Sequence, residues 1–222
     1  TETASLSYPT GSKTHSSSFD EKRKILHVAN LGENKVRFYQ MTNQGPVEKG
    51  FYSVPSPRTV VFDSQFDRLY ITTEALQSPG FVKVLSFSQN PQGDLQFQET
   101  SSHEIGLSGS DLQVSFKTRV LVTAVREKDR ENIVALPLTA SGEIDSSKTG
   151  LPFPIDQSEP RSLKLLADGQ TLVLTPNHVG LDLVIYRLRF SSEGLPAELV
   201  WLAEAEAGDE GFLSNLAIDV FE

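Results

Sequence analysis

The sequence predicts an all-β fold assembled from repeated units, and self-similarity is the first observation behind that prediction. Residues 57–70 align without a gap to residues 160–173, so that both segments open with Pro-Arg and continue into two apolar runs. The segments start 103 residues apart, which is about two units of roughly 50 residues, a period typical of propellers and other repeat arrays. A third copy opens with Thr14 and His15 in place of Pro-Arg. The predicted fold is therefore a β-propeller of four-stranded antiparallel blades.

The second observation is a series of short apolar runs separated by turn residues. Valine, isoleucine, leucine, phenylalanine and threonine dominate these runs, as a half-buried pleated surface requires. No window combines helix caps with an apolar stripe of helical period. In chain order the strands are predicted at residues 25–29, 35–39, 59–62, 69–72, 82–87, 112–116, 120–124, 132–137, 162–165, 171–174, 183–190 and 199–202.

Grouping these strands by the repeat gives units of about four strands each. Within a unit the inner strands are the most apolar, whereas the last strand is more polar, as expected for a blade whose outer strand faces water. The acidic residues 202–207 precede Gly208 and are predicted to form a loop or a single turn. The predicted units span residues 13–54, 56–105, 109–155 and 159–207, within one domain that covers residues 1–222.

Residues 212–219 resemble the first strand of a fifth unit, although no strands that would complete such a unit follow in this sequence. Four units and one extra strand do not close a ring by the usual exchange of terminal strands. The chain is therefore expected to be a piece of a larger propeller, or to complete its ring as a homodimer through open blade edges. An open edge of this size would otherwise invite aggregation.

The composition and the charge exclude several classes of partner. The formal net charge of −9 and the isoelectric point near 5.0 argue against nucleic acid and anionic membranes, since both attract basic surfaces. No apolar run approaches the roughly 20 residues that a membrane span requires. Cysteine is absent, which excludes thiol catalysis, disulfides and cysteine metal sites. Because the sequence starts Thr1-Glu2 without an initiator methionine, an exported protein is slightly favoured over a cytoplasmic one.

Two motifs resemble the blade of a known family. Residues 26–30, with the sequence LHVAN, are followed by a glycine and an apolar-aromatic strand, and residues 160–172 open with Pro-Arg and pass through Asp168-Gly169 before an apolar run. This pattern resembles the blades of the lactonase-type seven-bladed β-propellers and of the related YVTN surface-layer propellers. The match covers most of the chain at the level of blades, with a looser second unit and a degenerate third.

The resemblance implies that the position held by His15, Arg58 and Arg161 forms part of a catalytic site. This position precedes the innermost strand of each blade, so its side chains would ring the mouth of the central channel. In the resembled lactonases, histidine, arginine and glutamate side chains there are proposed to polarise a lactone carbonyl and activate water. An imidazole can act as a base near neutral pH, and a guanidinium can stabilise an oxyanion. The alternative is that these side chains bond to backbone carbonyl groups between blades.

Three further residues are candidate binding residues. Glu74 lies just after the second strand of its unit, where it could partner Arg58 or remain a solvated loop carboxylate. Asn177 and His178 follow the second strand of the fourth unit, where a loop could bring them to a surface. His27, in contrast, alternates with apolar residues and is interpreted as a packed, hydrogen-bonded histidine.

No metal and no cofactor are predicted. The sequence has no His-x-x-x-His pair, no EF-hand loop, no glycine-rich phosphate loop and no Gly-x-Ser-x-Gly elbow. Asp67, Asp111 and Asp182 are interpreted as isolated turn residues, so calcium would need ligands that assemble only in three dimensions. These features argue against nucleotide-dependent and serine-hydrolase chemistry.

Three roles are compatible with these features. The first is a non-enzymatic binding or interaction propeller that presents loops to a protein or a cell-envelope component, because the mouth residues are not a consistent acid–base set. The alternative is a sugar-lactone hydrolase of the 6-phosphogluconolactonase type, with His15, Arg58 and Arg161 at the mouth. Basic residues there would suit a phosphorylated or carboxylated lactone. The third is a role in assembly through the open edge.

Overall fold

The computed structural model describes residues 9–75, 78–90, 94–126, 131–148, 150–156, 159–176 and 183–205. In these residues sixteen strands form four antiparallel sheets of four strands each, and every strand of a sheet pairs with the next one along the chain. The first strands of successive sheets pack against one another and form the inner wall. The predicted all-β propeller architecture is thereby confirmed, with the four sheets as its blades.

Each blade is an up-and-down sheet. Blade 1 contains β1 (Thr14–Asp20), β2 (Ile25–Asn30), β3 (Lys35–Thr42) and β4 (Gly45–Ser53). Blade 2 contains β5 (Pro57–Asp63), β6 (Arg68–Thr73), β7 (Gly80–Gln89) and β8 (Leu95–Gly106). Blade 3 contains β9 (Gly109–Ser115), β10 (Val120–Val125), β11 (Asn132–Pro137) and β12 (Leu151–Pro154). Blade 4 contains β13 (Pro160–Leu165), β14 (Thr171–Pro176), β15 (Leu183–Phe190) and β16 (Pro196–Ala205). A turn of 3-10 helix, Leu31–Glu33, follows β2.

The repeat extends to the backbone at the start of each blade. The residue just before the first strand has a φ between 42° and 56° in all four blades, a left-handed conformation that residues other than glycine adopt uncommonly. Shortly after it, a β-bulge interrupts the pairing of the first strand with the second. The left-handed residues are Lys13, Ser56, Ser108 and Glu159.

Apolar side chains fill the spaces between blades, while the outer strands are largely exposed. All six residues of β10 and of β14 are buried, whereas no residue of β4 is fully buried. Clusters of buried side chains join each blade to the next. Burial of one leucine or isoleucine stabilises a fold by about 1.5–3 kcal/mol, so these clusters hold the blades together. The predicted gradient from apolar inner strands to a polar outer strand is confirmed.

The end of β16 corrects one prediction. Residues 202–207 are predicted from their acidic composition to form a loop, but residues 202–205 belong to β16. The edge of β15 supplies hydrogen-bonding partners for this part of the strand, with Leu183 opposite Ala205. Tertiary pairing therefore overrides local composition here. The extra strand predicted at residues 212–219 lies outside the described residues.

Candidate functional site

In blades 1, 2 and 4 the β-bulge carries the residue that the repeat predicts for the mouth of the channel. His15, Arg58 and Arg161 are each the extra residue on the first strand of their blade. The sequence predicts this position before the strand, but the structure makes it the second residue of the strand. The boundary differs because in blades 2 and 4 the first strand starts two residues earlier than predicted, at Pro57 and Pro160, and then bulges. A bulge re-aims its extra side chain, which frees it from the regular alternation of the strand.

The residue directly after the second strand of a blade also lies near the mouth. Glu74 comes directly after β6, and Arg126 comes directly after β10. The backbone N–H of Glu74 donates to the carbonyl of Ser56 at 2.8 Å, and that of Arg126 donates to the carbonyl of Ser108 at 3.0 Å. The two acceptors are the left-handed residues that precede the bulges. These hydrogen bonds therefore bring the end of the second strand beside the bulge of the first.

Glu74 joins two arginines from neighbouring blades. Its Oε2 accepts a hydrogen bond from Arg58 Nη1 in blade 2, and its Oε1 accepts one from Arg126 Nη2 in blade 3. The exposed fractions of the side chains are only 8% for Arg58, 9% for Arg126 and 16% for Glu74. Within the described residues, the Nε of each arginine is buried without a hydrogen-bond partner. One carboxylate shared by two buried guanidinium groups leaves one positive charge in excess.

Burial and the charges within this group shift the pKa values of Glu74 and Arg126. Burial by itself would raise the pKa of Glu74, but the positive charges of Arg58 and Arg126 outweigh burial and hold this pKa below its ordinary value. Burial, and next the positive charge of Arg58, lower the pKa of Arg126. The carboxylate of Glu74 therefore stays ionised at neutral pH, where it holds both guanidinium groups in place.

His15 lies at the exposed edge of this group, on β1. Partial burial, and then the positive charge of Arg58, lower the pKa of its imidazole below the ordinary value of 6.5. The negative charge of Glu74 opposes this shift, and Arg126 adds to it. An imidazole with such a pKa is mostly neutral at physiological pH, so it can accept a proton.

Arg161 approaches the same group from blade 4. Its Nη2 donates to Glu159 Oε2 at 2.7 Å, and 32% of its side chain is exposed. Its positive charge contributes to the lowered pKa of Arg126, as expected for two nearby cations. The mouth cluster, as it is called below, consists of His15, Arg58, Glu74, Arg126 and Arg161.

Two of the residues predicted from the sequence have no described position. Asn177 and His178 follow β14 and lie outside the described residues. By the repeat, Asn177 takes the place after the second strand that Glu74 and Arg126 hold in blades 2 and 3. The binding roles of Asn177 and His178 stay predictions.

Arg126 is the member of the mouth cluster that the sequence motifs do not predict. The sequence does carry a signal for it, because the strands at 68–73 and 120–125 start 52 residues apart and this offset places Arg126 at the position of Glu74. The change from glutamate to arginine hides the equivalence. A comparison of the units by position, rather than by residue type, finds both residues.

No group of three or more His, Cys, Asp or Glu side chains in the part of the chain that the structure describes is arranged to hold a metal ion. No helix among those residues has the length and apolar character needed to cross a bilayer. Asp67 lies in the turn before β6, whereas Asp111 lies inside β9 and is not the isolated turn residue that its sequence context predicts. Asp182 lies outside the described residues.

Solved structures similar to this chain include three with TM-scores of about 0.7. The periplasmic gluconolactonase PpgL of Pseudomonas aeruginosa matches with a TM-score of 0.70 and 20% identity, over 88% of this chain and 54% of that one. A candidate 6-phosphogluconolactonase of Bacteroides fragilis matches with a TM-score of 0.69 and 14% identity, over 87% and 55%. A protein of Lactobacillus plantarum matches with a TM-score of 0.67 and 17% identity, over 86% and 54%. The chain thus spans about half the length of these structures, and identities this low support the fold alone.

A family model gives the more specific match. No curated protein matches the chain at a significant level. The model described as lactonase, 7-bladed beta-propeller, matches residues 4–192. This range includes the start of every blade and every described member of the mouth cluster. The chain therefore belongs to the lactonase family of seven-bladed β-propellers.

Proposed function

We propose that the mouth cluster hydrolyses a sugar lactone that carries a phosphate or carboxylate group. The main support is the pair of buried guanidinium groups, Arg58 and Arg126, that share Glu74 beside a neutral imidazole. A cationic site shielded from water stabilises a developing oxyanion more strongly than an exposed one does. The family, and the names gluconolactonase and candidate 6-phosphogluconolactonase among similar structures, favour the same chemistry.

In this proposal His15 is the general base. Its neutral imidazole takes a proton from a water molecule while the water oxygen bonds to the lactone carbonyl carbon. The π electrons of the carbonyl move to its oxygen, and Arg58 and Arg126 stabilise the negative charge that forms there. When the carbonyl re-forms, the ring C–O bond breaks and the departing oxygen takes the proton from the imidazolium of His15. The product is an open-chain hydroxy acid, and His15 is again neutral.

Glu74 and Arg161 have different roles in this mechanism. Glu74 bonds both guanidinium groups, so it is a positioning residue that orients them and does not act on the lactone. Arg161 is more exposed and pairs with Glu159, so its guanidinium can turn towards a phosphate or carboxylate of the substrate. Oxyanion stabilisation then belongs to blades 2 and 3, and recognition of the anionic group belongs to blade 4.

The non-enzymatic interpretation has less support from these observations. That interpretation depends on the absence of a consistent set of acids and bases among the mouth residues predicted from the sequence. Glu74 and Arg126 add a carboxylate and a further cation to those three residues. Binding to a protein or cell-envelope component stays a prediction. Self-association through the blade edges also stays a prediction, which light scattering of the purified protein would test.

Hydrolysis of gluconolactone and of its 6-phosphate, measured above the spontaneous rate, tests the proposal. Arg126→Ala is expected to lower kcat by about 100-fold, because loss of one oxyanion donor typically has an effect of that size. Arg189→Ala is the matched control: Arg189 pairs with Glu198 on the outer strands of blade 4, with 61% of its side chain exposed, so its loss should leave the rate unchanged. A protein that hydrolyses neither lactone above the spontaneous rate would overturn the proposal.

A further inference from the structure

Asp111 occupies a position on the inner wall where the other three blades carry a hydroxyl group. It follows the bulge position of β9, and the equivalent residues of the other blades are Ser16, Thr59 and Ser162. Between blades 1 and 2 a hydroxyl is a sufficient acceptor, since Ser16 Oγ accepts the N–H of Val60 at 2.8 Å. The fold therefore does not require a carboxylate at this position.

The carboxylate of Asp111 joins blade 3 to the strand that carries Arg161. Its Oδ2 accepts the N–H of Leu163 at 2.8 Å and the hydroxyl of Ser162 at 3.3 Å, both on β13. Its Oδ1 accepts the N–H of Leu112 at 2.8 Å, within β9. Because Ser162 directly follows Arg161, these bonds fix the backbone and the side chain immediately beside the bulge of blade 4.

Burial makes a carboxyl group at position 111 less favourable than a hydroxyl group would be. The residue keeps some surface, but its carboxyl group lies deep between the blades, and this burial raises its pKa. Its hydrogen bonds and the positive charge of Arg58 oppose the rise. Burial of a carboxylate is unfavourable where a hydroxyl would serve. A carboxylate, however, has two acceptor oxygens, so it can bond to both blades at once beside a positively charged cluster.

We propose that Asp111 is a positioning residue for Arg161. Its Oδ1 is anchored in blade 3, and its Oδ2 holds β13 where Arg161 can meet the anionic group of the lactone. Asp111 has no contact with substrate in this role and acts only through Arg161. The inference rests on the proposed function, because it is there that Arg161 is given the recognition of a phosphate or carboxylate.

A double-mutant cycle in Asp111 and Arg161 tests this role. Asp111→Ser introduces the hydroxyl that other blades carry, so it keeps an acceptor for Leu163 and preserves the fold. It is expected to raise KM by about five- to tenfold and to change kcat less than about twofold, as loss of a ground-state contact does. Arg161→Ala should raise KM at least as much. The double variant should be no worse than Arg161→Ala alone, because the two residues act as one unit.

Ser18→Ala is the matched control for the structural contribution. Ser18 Oγ accepts the N–H of Phe62 between blades 1 and 2 at 2.8 Å, which is the same kind of bond farther along the strand from the mouth. Its loss should lower Tm and leave KM unchanged. If Asp111→Ser behaves like Ser18→Ala, or if its effect on KM adds fully to that of Arg161→Ala, the positioning role is wrong.

Failure of the proposed function has a different signature. Binding of 6-phosphogluconate, which carries both a phosphate and a carboxylate, can be measured by calorimetry without turnover. One outcome is that the protein binds 6-phosphogluconate, that Asp111→Ser and Arg161→Ala weaken this binding non-additively, and that no lactone is hydrolysed. The positioning role then stands, and the proposed hydrolase activity is overturned. If the protein neither binds 6-phosphogluconate nor hydrolyses a lactone, both proposals are overturned.

Discussion

Two clusters of arginine and carboxylate lie at opposite ends of the inner strands, and their charge balance is opposite. At the mouth, two arginines share one carboxylate, that of Glu74. At the other end, one arginine pairs with two carboxylates: Arg23 donates to Asp20 at 2.8 Å and to Asp67 at 2.7 Å. These last three residues are called the rim cluster below. One cluster thus has an excess of positive charge and the other an excess of negative charge.

The rim cluster has the features of a structural clamp. Both terminal nitrogens of Arg23 donate to Asp67, at 2.7 Å each, and its Cζ lies 4.5 Å from the centre of the Phe87 ring. The hydrogen bonds from Arg23 lower the pKa of Asp67. A bidentate ion pair and a stacked ring together fix the turn of blade 1 against blade 2.

The two clusters differ in how fully their guanidinium groups are bonded to carboxylates. Each buried arginine of the mouth keeps an Nε without a partner among the described residues, and the two arginines share a single bonded carboxylate, that of Glu74. The rim cluster has already matched its one guanidinium with two carboxylates. An anionic transition state would therefore be stabilised better at the mouth than at the rim. Charge balance, rather than the number of charged residues, marks the candidate site.

Removal of one carboxylate from each cluster should give the largest difference. Glu74→Gln leaves two buried guanidinium groups without their counterion, so we expect the free energy of unfolding to fall by about 3–5 kcal/mol and hydrolysis to fall to background. Asp67→Asn removes a side chain that is 48% exposed, so the expected loss is about 1 kcal/mol or less, with hydrolysis unchanged. Urea unfolding and initial rates, taken where both variants are folded, check these values. Equal effects of the two changes would contradict the comparison.

A buried histidine near the rim cluster predicts a loss of stability in acid. His27 packs against the rings of Phe38, Phe62 and Phe87. Burial lowers its pKa from 6.5 to about 4. The charge of Asp20 opposes this shift and the charge of Arg23 adds to it, and both effects are smaller than that of burial. The unfolded chain therefore binds this proton more readily than the folded protein does. The stability that neutral His27 contributes is complete above pH 6.5 and is lost as the pH falls towards 4, by up to about 3 kcal/mol.

Urea unfolding of the wild-type protein and of His27→Phe, at neutral and acid pH, measures this contribution. The substitution keeps an aromatic ring in the cluster and removes the titrating group. Its free energy of unfolding should therefore fall less between the two pH values than that of the wild-type protein. If both proteins lose the same free energy, His27 is not the group responsible.

Titration of His15, at the mouth, is expected to have a smaller effect, which is on the rate of hydrolysis rather than on stability. Because partial burial and Arg58 lower the pKa of His15 below 6.5, the imidazole should remain a competent base in weak acid. The value of kcat/KM is expected to fall about tenfold per pH unit only below the lowered pKa. A pH–rate profile measures this acid limb, the fall of kcat/KM at low pH. His15→Gln should remove the limb together with most of the activity. A limb at or above pH 6.5 would argue against His15 as the base.

The repeat makes the positions of the site predictable, but not its contacts. Arg58 and Arg161 could be equated from the sequence because the same motif surrounds both, and Arg126 could have been equated with Glu74 by the same offset. The ion pair between Glu74 and Arg126 could not be predicted, since it depends on how neighbouring blades are turned relative to one another. Asp111 was equally hidden, because its main partners lie on β13 of the next blade and a lone aspartate resembles a turn residue.

Initial rates of lactone hydrolysis by the wild-type protein, Arg126→Ala and Arg23→Ala test the importance of charge balance most directly. Each variant loses one arginine from one of the two clusters. We predict hydrolysis above the spontaneous rate for the wild-type protein and a loss of about 100-fold for Arg126→Ala. Arg23→Ala should be less stable but within about twofold of the wild-type rate at a temperature where it is folded. Similar losses in both variants, or no hydrolysis by the wild-type protein, would contradict the assignment of the mouth cluster as the active site.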